Sequence, residues 1–210
     1  MKYLLCHCWI LLLPFLTPSN FLVVASGFQI DLEVGSIQGK IDTAKPSDKT
    51  FASFTSIPYA EPPIGKLRFK DPVAKSSWNH ILDATKAPPI CAQLSPKNTP
   101  NQLQDPEQLL GTEDCLVLNV YVPLDQNTQK FHDEKKLPVM IYVHGGAFIM
   151  GTGGPEMYGP DYFMAVESEN PIILVTLNYR LGILGFMSLG DDVISGNMVR
   201  MNLFTDFNIF

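Results

Sequence analysis

Apolar positions along the chain fall into short blocks separated by polar, turning stretches. Val139 to Val143 reads Val-Met-Ile-Tyr-Val, and Ile172 to Leu177 reads Ile-Ile-Leu-Val-Thr-Leu. Continuous apolar runs of this length predict strands buried on both faces. Leu116 to Val122 predicts another strand. Phe28 to Ile41 alternates around Gly35 and Gly39 and predicts a small β-hairpin. Phe51 to Pro72 contains Ile57-Pro58-Tyr59-Ala60-Glu61-Pro62-Pro63-Ile64-Gly65. Each proline biases its predecessor towards extended geometry, so this segment is expected to be a stiff, irregular loop. Asn98 to Gly111 and Gln126 to Lys136 read as polar connections, and Pro160 to Glu169 as a short helix. Strand, loop, helix and strand in this order predict an α/β sheet. No internal repeat is visible.

The amino terminus has a different pattern. Lys2 precedes an apolar run, Leu4 to Leu16, and small residues follow at Ala25-Ser26-Gly27. Residues 1–27 are therefore expected to be a secretory signal peptide, and the protein to be extracellular. Pro14, Pro18, Ser19 and Asn20 break the run short of a membrane span, and no later segment has that length. Cys6 and Cys8 would leave with the signal. Cys91 and Cys115 would remain, either as one disulfide or as two buried thiols, and an oxidising compartment favours the disulfide. No His/Cys spacing resembles a metal site, and no cofactor is expected.

Composition narrows the remaining classes. The chain has 210 residues, 46% of them hydrophobic and 17% charged, with a net charge of −6. The charged share is too low for disorder, and an acidic chain without a Lys/Arg cluster is not expected to bind nucleic acid. The proline count of 17 fits ordered loops better than long helices.

The strongest chemical signal is His144-Gly145-Gly146-Ala147-Phe148, directly after the Val139–Val143 run. Glycines at the end of a strand let the backbone turn sharply and point N–H groups into one space. Two such donors are what a tetrahedral oxyanion needs. A glycine turn alone is also compatible with an unrelated α/β protein.

Three further stretches accompany it. They are Phe54 to Pro63 with Leu67-Arg68-Phe69, then Glu113-Asp114-Cys115-Leu116-Val117-Leu118-Asn119-Val120-Tyr121, then Asn178 to Phe186. With the glycine loop, these resemble the type-B carboxylesterase and cholinesterase family, in its order and across nearly all of the mature chain. The composition resembles that of secreted insect-type esterases. The resemblance implies the N-terminal part of an α/β-hydrolase fold. It implies an oxyanion hole at Gly145, Gly146 and Ala147, with N–H groups donated by Gly146 and Ala147. Cys91 and Cys115 match the family's first disulfide, and Arg68 and Glu113 match a structural ion pair. Arg180 matches an arginine that pairs with an Asp further along. His144 has no implied proton-transfer role. His80 and His132 are expected at the surface or in structural roles, and Phe148 and Trp78 in packing.

A hydrolase of this fold needs Ser, Asp/Glu and His, with the Ser in a G-x-S-x-G elbow. No G-x-S-x-G occurs in the sequence. The nearest approach, Gly185-Phe186-Met187-Ser188-Leu189-Gly190, has the wrong spacing. The chain is thus expected to be truncated before the nucleophile elbow. Its organisation would be a signal over 1–27, a partial carboxylesterase domain over 28–198 and an unmatched tail over 199–210. Val199-Arg200 is what a splice donor encodes when read in frame, so the tail is a candidate for translated intron. The function implied is ester hydrolysis by a longer secreted parent acting on a small-molecule ester, with this part alone inactive. A non-catalytic, cholinesterase-like adhesion module is the alternative. The glycine loop favours the enzyme.

Overall fold

A computed structural model describes residues 21–24, 27–94, 109–131, 136–166, 171–190, 194 and 196–198. The strands are β1 (Phe21–Val24), β2 (Gly27–Leu32), β3 (Gly35–Gln38), β4 (Lys40–Thr43), β5 (Thr50–Pro58), β6 (Ile81–Asp83), β7 (Gln93–Leu94), β8 (Leu109–Leu110), β9 (Val117–Pro123), β10 (Val139–Val143) and β11 (Ile173–Leu177). The described helices are short: α1 (Pro155–Tyr158), α2 (Asp161–Ala165) and α3 (Gly182–Phe186).

The larger sheet has the order β10-β11-β9-β5-β4. Its first pair, β10 with β11, is parallel; the other three pairs are antiparallel. Alternation along β9 explains why this strand reads as continuously apolar. Leu118, Val120 and Val122 face a core shared with Phe54, Val175 and Leu177. Tyr121 faces the opposite side with Phe51, Leu174 and Met164. Both faces are covered, as the apolar pattern of Leu116 to Val122 requires.

The smaller sheet, β1-β2-β3-β6, packs its inner face on the first core through Phe28 and Ile37. Phe28 is 1% exposed, and burial of such a side chain stabilises by about 1.5–3 kcal/mol. The expected hairpin around Gly35 is β2–β3, with Leu32 opposite Gly35. Gly35 has φ 146°, and the Trp78 indole occupies the space a side chain would take. Past Gly39 the chain does not continue that hairpin; it enters the larger sheet as β4. β1 falls within the segment read as a signal peptide, whose other residues lie outside the described ones, apart from Gly27.

Two expectations are corrected by the structure. Residues Phe51 to Pro58 are not loop. They form most of β5, a nine-residue strand between β4 and β9. The prolines begin only at Pro58; the preceding run has neither Pro nor Gly, and its Phe and Thr residues suit a buried ladder. A bulge between Phe54 and Ile57 puts Ser56 at φ 61°. The irregular stretch expected there starts at Tyr59 and includes a 3₁₀ turn at Gly65–Leu67. The second correction concerns β10. Its first four residues are half-buried and Val143 is 43% exposed. Among the described residues no strand pairs with its outer edge.

Candidate functional site

β10 ends at Val143, and the chain turns at once. Gly146 lies at φ 118°, Ala147 at 54° and Phe148 at 63°. The Gly146 carbonyl accepts N–H bonds from Ile149 and Met150, both at 3.1 Å. A Cβ on Gly146 would collide with the Met150 carbonyl, so only glycine fits. Left-handed backbone at two successive non-glycine residues costs on the order of 1 kcal/mol each and persists only where surroundings enforce it.

The strain has a geometric product. In a planar trans peptide, C=O and N–H point in opposite directions. The Gly145 carbonyl is tied to His144 Nδ1 at 2.8 Å, and the Gly146 carbonyl is tied into the turn. The N–H groups of Gly146 and Ala147 therefore sit on the other edges of two anchored peptides. Among the described residues neither meets an acceptor. Ala147 is exposed and Gly146 half-buried. The arrangement is a pair of preset donors able to receive an anionic oxygen.

Buried polar side chains hold the loop to the sheet. His144 is 3% exposed and stacks on Tyr179, with ring centroids 4.4 Å apart. Since a carbonyl only accepts, Nδ1 carries the proton. Burial lowers the His144 pKa, which keeps the ring neutral. The Tyr179 hydroxyl donates to the His144 carbonyl at 2.8 Å. Beyond the turn, Asn178 Oδ1 accepts from Gly153 N–H at 2.8 Å, and Asn178 Nδ2 donates to the Pro89 carbonyl at 2.6 Å. Asn119 Nδ2 and Thr176 Oγ1 both donate to the Gly153 carbonyl, at 3.0 and 2.6 Å. Gln93 engages Gly151 through both ends of its amide.

Two covalent or ionic ties brace this framework. Cys91 and Cys115 are bonded, with Cα atoms 5.0 Å apart, directly before β7 and β9. Arg68 donates from Nε and Nη2 to the two oxygens of Glu113, both at 2.6 Å. Glu113 also raises the Arg68 pKa. The pair joins the turn after Gly65–Leu67 to the segment entering β9.

Comparison with known proteins identifies the framework. A family model described as Carboxylesterase family matches residues 26–203. Juvenile hormone esterase of Tribolium castaneum is 39% identical over 181 residues, covering 86% of this chain and 27% of that protein. The chain belongs to the carboxylesterase family. Esterase-5A of Drosophila persimilis is 40% identical over 170 residues, covering 80% of this chain and 27% of that protein. A crystal structure of juvenile hormone esterase from Manduca sexta, with OTFP covalently attached, superposes with a TM-score of 0.66 at 32% identity. The match covers 83% of this chain and 30% of that one. The fold is accordingly part of the α/β-hydrolase fold. This carboxylesterase-family chain spans about a quarter of the curated relatives' length, at 27% of the first.

Within the carboxylesterase framework, Gly145, Gly146 and Ala147 lie together at the carboxyl end of a parallel strand. Arg180 is 3% exposed; its Nη1 donates to the Lys70 carbonyl at 2.8 Å, and burial lowers its pKa. The Asp that the resemblance pairs with Arg180 belongs to a motif expected after Met198, which the sequence does not carry there. His80 is exposed, and His132 lies outside the described residues. Trp78 packs as expected, donating Nε1 to the Ser36 carbonyl at 3.0 Å. Phe148 does not: it is 59% exposed and meets the edge of the Phe186 ring, with centroids 5.2 Å apart. Ser188 is an exposed loop residue whose hydroxyl donates to the Ile194 carbonyl at 3.4 Å. Sequence reasoning assigned no role to Gln93 or Asn119. The available signal was positional: Gln93 is two residues after Cys91, and Asn119 interrupts an apolar strand.

Proposed function

We propose that this chain is the front segment of a secreted serine carboxylesterase. The carrying observation is the pair of N–H groups at Gly146 and Ala147, unused by any acceptor among the described residues and held by anchored carbonyls. Acyl transfer from an ester to a serine passes through a tetrahedral oxyanion, and these donors would receive it. The nucleophile and its base would come from sequence beyond this segment. Residues 1–27 would act as the leader and 28–198 as the partial esterase domain; the family match runs on to residue 203, into the stretch 199–210 read as an unmatched tail. The Cys91–Cys115 disulfide supports an oxidising destination. Among the described residues no helix is long and apolar enough to cross a membrane. The substrate would be a small ester, since the relatives carry esterase names.

The test is the full transcript and its product. A downstream G-x-S-x-G, organophosphate-sensitive hydrolysis of a chromogenic short-chain ester and recovery from culture medium are the expected results. A product with the serine replaced and no turnover would overturn the enzyme reading in favour of an adhesion module. The 210-residue chain alone is expected to show no turnover above background.

A further inference from the structure

One side chain from outside the glycine loop holds its far end. Gly151 N–H donates to Gln93 Oε1 at 2.8 Å, and Gln93 Nε2 donates back to the Gly151 carbonyl at 2.8 Å. The same Nε2 donates to the Cys91 carbonyl at 3.0 Å. The amide thus pairs with a peptide as a neighbouring strand would. Gly151 has φ 122°, and a Cβ there would run into the His144 ring and the Gly145 carbonyl. The two ends of the loop are therefore in contact. Met150, directly before Gly151, donates its N–H to the Gly146 carbonyl. That carbonyl shares one rigid plane with the Ala147 N–H. Where Gly151 is held decides how that plane tilts. Gln93 itself cannot drift, because Cys91 two residues earlier is bonded to Cys115 at the entry to β9.

We propose that Gln93 is a positioning residue of the oxyanion hole. Acting through Gly151, it sets the direction of the Ala147 N–H. The inference rests on the acyl-transfer reading above. It makes the disulfide arm part of the site's supporting structure, although no atom of that arm would touch the substrate.

The experiment uses the secreted product that carries these residues, with Gln93→Glu and Gln93→Leu variants. A carboxylate at 93 accepts from Gly151 N–H but cannot donate to its carbonyl; a protonated carboxyl does both. Gln93→Glu is expected to lower kcat roughly 10- to 100-fold with KM changed less than about twofold. Its kcat relative to the unsubstituted protein should recover as pH falls into the carboxyl range. A ratio flat with pH, or an unchanged kcat, overturns the proposal. Hydrogen exchange gives a readout independent of activity. In Gln93→Leu, amides 145–151 should exchange at least about tenfold faster while those of β9 and β11 hold. If the loop amides exchange as before, the proposal fails whatever the turnover. An unsubstituted protein without esterase turnover removes the acyl-transfer reading, and the exchange arm then decides the clamp. Should Gln93→Leu loosen β9 as well, Gln93→Glu, which keeps the side chain's shape, decides instead.

Discussion

Glu61 accepts from Lys75 Nζ at 2.7 Å and from Ser76 N–H at 2.9 Å. Those bonds lower its pKa from 4.5 to about 2. A carboxyl whose pKa is depressed in the folded state stabilises it above the unfolded pKa, and this is lost as pH falls through the folded one. Glu61→Gln is therefore expected to lower Tm at pH 7. The gap from the unsubstituted protein should close as pH drops from 4.5 to about 2. Paired thermal melts across that range check this; a gap constant with pH would contradict it. Legibility at this scale was uneven. Gly145, Gly146 and Ala147 were readable because a backbone turning at a strand end leaves glycine in the sequence. Gln93 was not, because its partner is a peptide 58 residues away, and an amide clamp leaves no spacing rule behind.

At the scale of elements, β9 and β11 were legible because covered strands show unbroken apolar runs. β5 was obscured by the prolines that follow it. β10 carries the same apolar signature as β11, but only β11 is buried at every position. Its outer edge and the exposed Val143 give a template for pairing with other chains. Residues 28–210 produced alone are expected to be poorly soluble or molten. Val143→Lys should reduce light scattering on concentration without altering the β10–β11 ladder. A sharp melt of an already soluble monomer would count against this view. The half-burial of β10 could not be read from its composition, since a strand's neighbours are not written in its own residues.

For the molecule as a whole, the Cys91–Cys115 bond closes a loop with a sequence separation of 24. Removing a crosslink of that span costs about 3 kcal/mol by the chain-entropy argument. Replacing both cysteines with serine in the secreted product should lower the urea midpoint accordingly, with m rising as the uncrosslinked unfolded chain exposes more surface. An unchanged midpoint would mean that the Arg68–Glu113 pair and the polar anchors suffice.

The parallel pairing of β10 with β11 has one more consequence. Parallel neighbours must be joined by a crossover, and here it carries the glycine loop, α1 and α2. Its beginning is held by Asn119, Thr176 and Asn178, and its end by Ile173 N–H bonded to the Pro138 carbonyl at 2.9 Å. Between them, Tyr162 and Phe163 are exposed and Met164 is the buried anchor of α2. Doubling the length of such a connection costs only about 0.6 kcal/mol of closure entropy. The stretch between Gly154 and Pro171 is thus a place where insertions can be accommodated, letting a protein engineer lengthen the connection while both sheet ladders keep their register.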